Sequence, residues 1–257
     1  MTNTFNDVQN ARSVIFMGSN ATEAHPVAMQ HVLIARENGA KIIVVDPRYT
    51  RTAAKAHEYV RLRPGTDIAF LWGVVRTILD NGWQDQEFID SRTYGLDYIK
   101  EVLKQYTPEF VERVTGVSPK QVEKVARILA ENRPGMMIWA MGSTQHSNGH
   151  AVVRANCALQ LVLGNVGRQG GGANILRGHD NVQGTSDMSI LSHALPGYLP
   201  LKEGPWKHWA NVWGVEYDWL VSRFASPEMM GKPGFTLARW YEGVLMDPSE
   251  LGQPYNL

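Results

Sequence analysis

The segment 164–184 holds the side chains best suited to chemistry: seven glycines stand among two arginines, a histidine, an aspartate and five amide side chains. Glycine loses more conformational freedom on folding than any other residue. A run of glycines is therefore expected where the backbone must pass close to a ligand or to another part of the chain. The interleaved arginine and amide donors suit an anionic ligand. A flexible linker is also rich in glycine, but its other residues are usually Ser, Glu and Lys. The segment therefore predicts a loop that faces a polar, anionic ligand.

Composition excludes several other classes of function. The 257 residues carry 25 basic and 25 acidic side chains, so no overall field attracts nucleic acid or membrane lipid. No apolar run is long enough to span a bilayer, which predicts no direct membrane insertion. The first ten residues are polar and contain no targeting signal, although this carries little weight if the chain is a piece of a longer one. Any anion site must therefore be local.

Residues that could bind a metal are scarce. The one cysteine, Cys157, lies in the helical segment 151–163 among alanines and a leucine, so we interpret it as a small buried residue. A single thiol cannot hold an iron–sulfur cluster. The pair His25-Pro26 has no His, Cys or Glu partner at ligand spacing and is expected to order a loop. The sequence therefore predicts no metal ligand.

Alternating strands and helices are expected to position these groups. The apolar run 13–17, a helix from Pro26 to about Asn38 ended by Gly39, and the apolar strand 41–46 form a βαβ unit. The buried side of that helix is expected to contain Val27, His31, Ile34 and Ala35.

The same pattern continues to residue 165, and the chain then changes character. It predicts an α/β fold, a Rossmann-like doubly wound and mainly parallel sheet with helices on both faces. We expect this domain to cover 1–177, and a partial second domain, tryptophan-rich and of incomplete irregular or α+β structure, to cover 178–257. The further elements expected are a strand at 59–62, a helix capped by Thr66-Asp67 and running to 80, helical pieces within 85–113, a helix at 118–132, a strand at 136–141 and a helix at 150–163.

Ligands of doubly wound sheets bind beyond the carboxyl ends of the strands, where the loops 18–25, 46–50 and 141–146 are expected to meet. A glycine beside a helix start suits a phosphate. Asp46 suits a ribose hydroxyl pair, and Arg48 suits a phosphate. The sequence contains no G-x-G-x-x-G, and Asp46 lies later than the usual spacing, so a Rossmann-like scaffold without a nucleotide explains these residues equally well.

Five segments, read together, resemble the molybdopterin oxidoreductase family. Within it the chain is similar to the catalytic subunit of a formate dehydrogenase, nearer the respiratory, membrane-associated type. The resemblance extends over residues 1–200 in the family's order, while 205–257 match no motif. The segments that carry it are 17–26, 41–48, 63–69, 139–146 and 176–184.

The resemblance implies a cofactor: molybdenum or tungsten held by the dithiolenes of two molybdopterin guanine dinucleotides, one of which this chain would bind. Loop 18–24 would approach the pyrophosphate and guanosine, and Asp67 would accept from the guanine N1 and N2 hydrogens. Met141 and Gln145 would line the pterin side. The implied cofactor-binding residues are Met17, Gly18, Ser19, Asn20, Ala21, Thr22, Glu23, Ala24, Asp46, Pro47, Arg48, Gly65, Thr66, Asp67, Met141, Gln145 and Gly178.

Two catalytic residues are also implied by the resemblance. Arg177 matches an arginine held near the metal, where a cation can orient formate and stabilise negative charge. His179 stands where some relatives have glutamine.

The resemblance further implies an internal fragment. The family's cysteine or selenocysteine metal ligand, its 4Fe-4S domain and its C-terminal domain are not among these residues. We therefore expect that the chain cannot oxidise formate alone, and formate-dependent dye reduction would contradict this. The full-length enzyme would act on formate with an iron–sulfur electron-transfer subunit and a membrane cytochrome subunit. It would be periplasmic and membrane-associated through these partners, or alternatively cytoplasmic.

Two alternatives remain open. Another molybdopterin oxidoreductase, of the nitrate or sulfoxide reductase type, would share most of these motifs, although the run 177–181 favours formate. A nucleotide-binding or structural module without catalysis is the other alternative. Calorimetric titration with guanine nucleotides distinguishes that module from a cofactor-binding segment.

Overall fold

A five-stranded parallel sheet forms the centre of the first part of the chain. The computed structural model describes residues 1–189, 194–224, 240–247 and 249. The sheet has the order β3-β2-β1-β4-β5, and every neighbouring pair is parallel. The predicted α/β fold is therefore confirmed. Its strands are β1 (Ser13–Met17), β2 (Lys41–Val45), β3 (Glu58–Val60), β4 (Gly135–Trp139) and β5 (Gly172–Ile175).

Helices cover both faces of this sheet. Ile15, Ile43 and Met137 belong to the apolar cluster on one face, which α3, α6, α7 and α9 complete. Val14 and Met136 belong to the cluster on the other face, with α2. The three central strands β1, β2 and β4 are almost continuously apolar, as expected where neither face of a sheet meets water. The helices are α1 (Ala21–Ala24), α2 (Pro26–Glu37), α3 (Asp67–Asp80), α4 (Gln86–Arg92), α5 (Leu96–Leu103), α6 (Pro108–Thr115), α7 (Pro119–Glu131), α8 (Met141–Thr144), α9 (Gly149–Val162), α10 (Val182–Asp187), α11 (Glu203–Trp213), α12 (Tyr217–Phe224) and α13 (Trp240–Leu245), with 3₁₀ turns at Phe5–Asn10, Ala53–Lys55 and Pro196–Tyr198.

Helix α2 begins at the predicted residue, but its buried face differs from the one predicted. The helix begins at Pro26, whose fixed φ suits a first helical position, and Gly39 follows it with φ +95°. Val27 is 69% exposed and Ile34 is 40% exposed, while the buried residues are Met29, Val32 and Ala35. The helix is apolar on several sides, so periodicity alone did not select a face. Packing against the N-terminal 3₁₀ turn selected it.

Two segments differ from the structure predicted for them, the strand at 136–141 and the loop at 164–184. The strand predicted at 136–141 stops at Trp139, and Met141 already begins the short helix α8. The glycine-rich segment 164–184 is not one ligand-facing loop, because Gly172–Ile175 is the edge strand β5. Its sequence, Gly-Ala-Asn-Ile, has low strand propensity, and only pairing with β4 makes it a strand.

The chain divides into two compact units, Met1–Gly178 and a second unit that begins at His179. In the second unit, β6 (Ala194–Leu195) pairs antiparallel with β7 (Leu199–Pro200). The buried residues Leu195, Trp206, Ala210 and Leu220 form its small core. Of its tryptophans, Trp206 is buried, whereas Trp213 and Trp219 are 46% and 45% exposed. Among the described residues, no helix has the length and hydropathy to cross a bilayer.

Candidate functional site

Loops from four strands enclose a cavity of about 300 Å³ at the carboxyl edge of the parallel sheet. This edge lies at the point where the strand order reverses between β1 and β4, which is where doubly wound sheets bind ligands. The lining residues are Gly18, Ser19 and Asn20 after β1, Val45, Asp46, Pro47 and Arg48 at the end of β2, Leu62, Pro64, Gly65 and Asp67 after β3, and Gly142 and His146 after β4.

The loops after β1 and β4 cross backbone to backbone beside this cavity. The Gly142 N–H donates to the Gly18 carbonyl at 3.1 Å, and the Ser143 hydroxyl donates to the Met17 carbonyl at 3.2 Å. A Cβ on Gly18, which has φ +58°, would lie 2.5 Å from the Ser143 nitrogen, and a Cβ on Gly142 would lie 2.6 Å from the Gly18 oxygen. The crossing therefore leaves no room for a side chain at either position.

We predict that Gly142→Ala lowers the free energy of unfolding by about 1–3 kcal/mol, because the new methyl group must push the Gly18 backbone away. Gly178→Ala is the matched control. Gly178 lies in the same compact unit, and a Cβ on it would meet no atom within 4 Å. Urea unfolding of both variants measures the difference. Equal stability of the Gly142 and Gly178 variants would show that the crossing is not tight.

The turn after β1 leaves only some of its backbone donors for a ligand. The Thr22 N–H donates to the Thr52 hydroxyl at 2.9 Å, and the next two N–H groups of α1 donate to the Asn20 carbonyl. The N–H groups of Ser19 and Asn20 have no hydrogen-bond acceptor within the described part of the chain. Among the residues of loop 18–24 that line the cavity, these two therefore hold the available backbone donors.

Asp46 is fixed at the end of β2. Its side chain is buried, and its Oδ1 accepts a hydrogen bond of 2.8 Å from the Arg48 N–H. The Tyr59 hydroxyl donates to the Asp46 carbonyl at 3.0 Å, and burial together with the Asp46 charge raises the pKa of Tyr59. The second carboxylate oxygen of Asp46 remains available to hydroxyl donors, and the exposed Arg48 side chain extends the same wall.

Asp67 is a buried carboxylate without a salt bridge. It is the first residue of α3, its exposure is 6%, and no ion pair involves it among the described residues. Burial raises the pKa of Asp67, while its own N–H and the nearby His146 act in the opposite direction. His146 is held by a 2.8 Å hydrogen bond from its Nε2 to the Gly142 carbonyl. A buried charge is costly unless hydrogen-bond donors surround it. A ligand that donates hydrogen bonds to this carboxylate would therefore stabilise it.

Several predicted site residues lie outside the cavity. Met17 and Ala21 are buried in the apolar core beneath it. Thr66 caps nothing with its side chain; its hydroxyl donates to the Arg63 carbonyl instead. Seven further predicted residues do not line the cavity, and all of them except the half-buried Thr22 are exposed: Thr22, Glu23, Ala24, Met141, Gln145, Gly178 and His179.

Arg177 lies apart from the cavity, two residues beyond the end of β5. It is half-buried, and its carbonyl accepts a 2.8 Å hydrogen bond from His25 Nε2. Its own Nε is buried and has no hydrogen-bond partner in the described structure. His25 therefore orders the backbone on which Arg177 stands.

Sequence reasoning did not name five of the lining residues: Val45, Leu62 and Pro64, and also Gly142 and His146, although it expected the segment 141–146 that contains these two at this edge. The signal for the last two was their position in the segment after β4, which the topology places at this edge of the sheet.

One protein family matches most of this chain. The model of the molybdopterin oxidoreductase family matches residues 1–215. The chain is 38% identical over 234 residues to F420-dependent formate dehydrogenase 1 subunit alpha of Methanococcus maripaludis, covering 91% of this chain and 34% of that protein. It is 38% identical over 217 residues to formate dehydrogenase H of Escherichia coli, covering 84% of this chain and 30% of that protein.

A solved structure gives the same fold. Acetylene hydratase from Pelobacter acetylenicus matches 63% of this chain and 24% of its own length, with a TM-score of 0.58 and 26% sequence identity. The chain spans at most 34% of the length of the two formate dehydrogenases named above.

Proposed function

The chain belongs to the molybdopterin oxidoreductase family, and on that premise we propose that its first unit binds the nucleotide end of a molybdopterin guanine dinucleotide in a formate dehydrogenase. Relatives named as formate dehydrogenases cover most of this chain, which supports formate as the substrate of the whole protein. No observation on these residues favours nitrate or a sulfoxide.

The buried Asp67 carboxylate carries this proposal. Guanine presents N1–H and N2–H donors side by side, which match the two oxygens of a carboxylate, whereas adenine presents no such pair. Asp67 lines a cavity at the switch point of the sheet and has no cationic partner among the described residues. The residues present therefore fit a guanine base.

The remaining lining residues fit the rest of the nucleotide. Asp46 has one carboxylate oxygen available for ribose hydroxyls, since Oδ1 is already bonded to the Arg48 N–H. The N–H groups of Ser19 and Asn20 and the Arg48 guanidinium supply donors for a pyrophosphate. The loops at the edge of the sheet thus offer acceptors for the base and the ribose and donors for the pyrophosphate.

Formate oxidation releases carbon dioxide, one proton and two electrons from each formate. The metal and its dithiolenes, when bound, supply the redox chemistry that accepts these electrons. Within this chain, Arg177 would orient the formate carboxylate with its guanidinium fork, because two parallel N–H donors match two carboxylate oxygens. The hydrogen bond from His25 holds the Arg177 backbone and leaves the side chain to reach the substrate.

Other parts of the proposal concern the whole protein. We propose that the whole protein is periplasmic and passes electrons to an iron–sulfur subunit. A membrane cytochrome subunit would then associate the assembly with the membrane. Cys157 is not a candidate metal ligand, because it packs against the apolar core and burial raises the pKa of its thiol. We therefore propose that these residues bind the nucleotide and do not oxidise formate alone.

Titration calorimetry of the folded chain with GDP and ADP tests the proposed function. We expect GDP to bind at least tenfold more tightly than ADP, because only guanine offers both donors to Asp67. Far-UV circular dichroism of the same sample verifies that the protein is folded. Failure of the folded chain to bind GDP, or equal affinity for both nucleotides, would contradict the proposal.

A further inference from the structure

Thr52 is a buried residue behind the nucleotide cavity that takes no part in lining it. Its side chain is 0% exposed, and it stands in the loop between β2 and β3. Its hydroxyl lies 2.9 Å from the Thr22 nitrogen, 3.1 Å from Asn20 Oδ1 and 3.1 Å from Thr22 Oγ1. One hydroxyl therefore connects the loop after β2 to the turn after β1.

The bonding rules of these groups determine where the Thr52 proton points. A hydroxyl has one donor and two acceptor positions. The Thr22 N–H can only donate, whereas the Thr22 hydroxyl can donate or accept. Thr52 has one proton, so all three contacts are hydrogen bonds at once only when the Thr22 hydroxyl donates to Thr52. The amide oxygen of Asn20 can only accept. In that arrangement the Thr52 proton is directed at Asn20 Oδ1, which lies 3.1 Å away.

This arrangement determines which atom of the Asn20 amide is available to bind a ligand in the cavity. Because Oδ1 is bound to Thr52, the Nδ2 group keeps both of its hydrogens, and no acceptor for them exists within the described part of the chain. Asn20 lines the cavity beside the free N–H groups of Ser19 and Asn20. All three groups are hydrogen-bond donors. The turn therefore suits an anionic ligand, which only accepts hydrogen bonds.

We propose that Thr52 is a positioning residue of the nucleotide site, whose hydroxyl fixes the Asn20 amide with its Nδ2 donor toward the phosphate part of the ligand. The inference rests on the proposed function, since it requires a nucleotide in this cavity. Thr52 itself touches no ligand and acts through Asn20.

The test compares Thr52→Val, which keeps the shape and removes the hydroxyl, with Thr52→Ser, which keeps the hydroxyl. Affinities for GDP and for guanosine, which lacks the phosphates, are measured by calorimetry on the full chain. We expect Thr52→Val to bind GDP about tenfold more weakly and guanosine as the wild type does, because one charge-assisted hydrogen bond is lost. Thr52→Ser should bind both ligands like the wild type.

The outcomes separate the inference from the proposed function. A wild-type chain that does not bind GDP contradicts the proposed function itself. Wild-type GDP affinity in a folded Thr52→Val variant, or an equal loss for guanosine, overturns the role of Thr52. If Thr52→Val does not fold, Asn20→Asp replaces it, since that change keeps an oxygen for Thr52 and removes the Nδ2 donor. It should weaken GDP alone, and unchanged GDP binding would overturn the inference.

Discussion

Asp67→Asn is expected to weaken GDP binding by about a hundredfold, while the ligand-free chain becomes as stable as the wild type or more stable. The amide places a donor where guanine also has a donor, and hydrogen bonds to a charged group contribute about 1.5–3 kcal/mol each. In the free chain, the buried carboxylate is costly, and burial raises its pKa. Removing that charge therefore removes a cost that the Asp67 N–H and His146 offset only in part in the free chain.

The same carboxylate makes GDP binding pH-dependent. Only the ionised form accepts both guanine hydrogens, so affinity should fall up to tenfold per pH unit below the raised pKa of Asp67. The stability of the free chain changes in the opposite direction. Its folded pKa lies above the unfolded value of 3.8, so the contribution of Asp67 to stability is largest below pH 3.8 and is lost as pH rises through the folded pKa. Asp67→Asn should remove both effects.

Two measurements test these changes, each made from below pH 3.8 to above the raised pKa of Asp67. Calorimetry with GDP measures the affinity, and urea unfolding of the free chain measures the stability. Asp97→Asn is the matched control, because the Asp97 side chain is 99% exposed and its only ion pair is a 3.9 Å contact with Lys100 among the described residues. It should leave affinity and stability unchanged. An Asp67→Asn chain that binds GDP with wild-type affinity would show that this carboxylate does not recognise the base.

Arg177→Gln is expected to lower the turnover of a full-length formate dehydrogenase that contains this segment by about 10²–10³-fold, the effect of removing one group that stabilises charge in an active site. Arg177→Lys keeps the charge but loses the fork, so its loss should be smaller. The His25 hydrogen bond reaches the Arg177 carbonyl and not its side chain, so both variants keep the backbone in place.

Steady-state kinetics with formate, alongside the metal content of each variant, test this expectation. Arg168→Gln is the control from the same glycine-rich segment, since Arg168 is half exposed and its partner Asp85 also lies 3.9 Å from Arg133. Turnover of Arg177→Gln within twofold of the wild type, at equal metal content, would rule out a direct role for Arg177.

The sequence predicted those elements whose pattern is strong within a short stretch of chain. The βαβ unit from Ser13 to Val45 was found because two apolar strands flank a helix that begins with Pro26 and precedes Gly39. The buried face of α2 was mistaken and β5 was missed for one reason. Both depend on what packs beside them, and neither the N-terminal 3₁₀ turn nor the edge of β4 is visible in the local pattern.

The site shows the same division. Topology alone placed the loops after β1, β2 and β4 at one edge, so Asp46 and Gly18 were found from the sequence. The Gly18–Gly142 crossing and the contacts of Thr52 join loops that are remote in sequence, and residue types give no sign of such contacts. The family resemblance supplied Asp67, while its burial without a salt bridge became visible only in the fold.

Strand β5 also determines where the chain can change in length. Its register pairs Ile175 with Trp139, and the Leu176 N–H donates to the Trp139 carbonyl at 2.9 Å. One residue inserted between Gly172 and Arg177 would turn every following side chain to the opposite face of the sheet and carry Arg177 with it. The exposed turn 167–169 before β5 has no such pairing. Natural insertions and deletions in proteins of this architecture should therefore gather in that turn and avoid the six residues from Gly172 to Arg177.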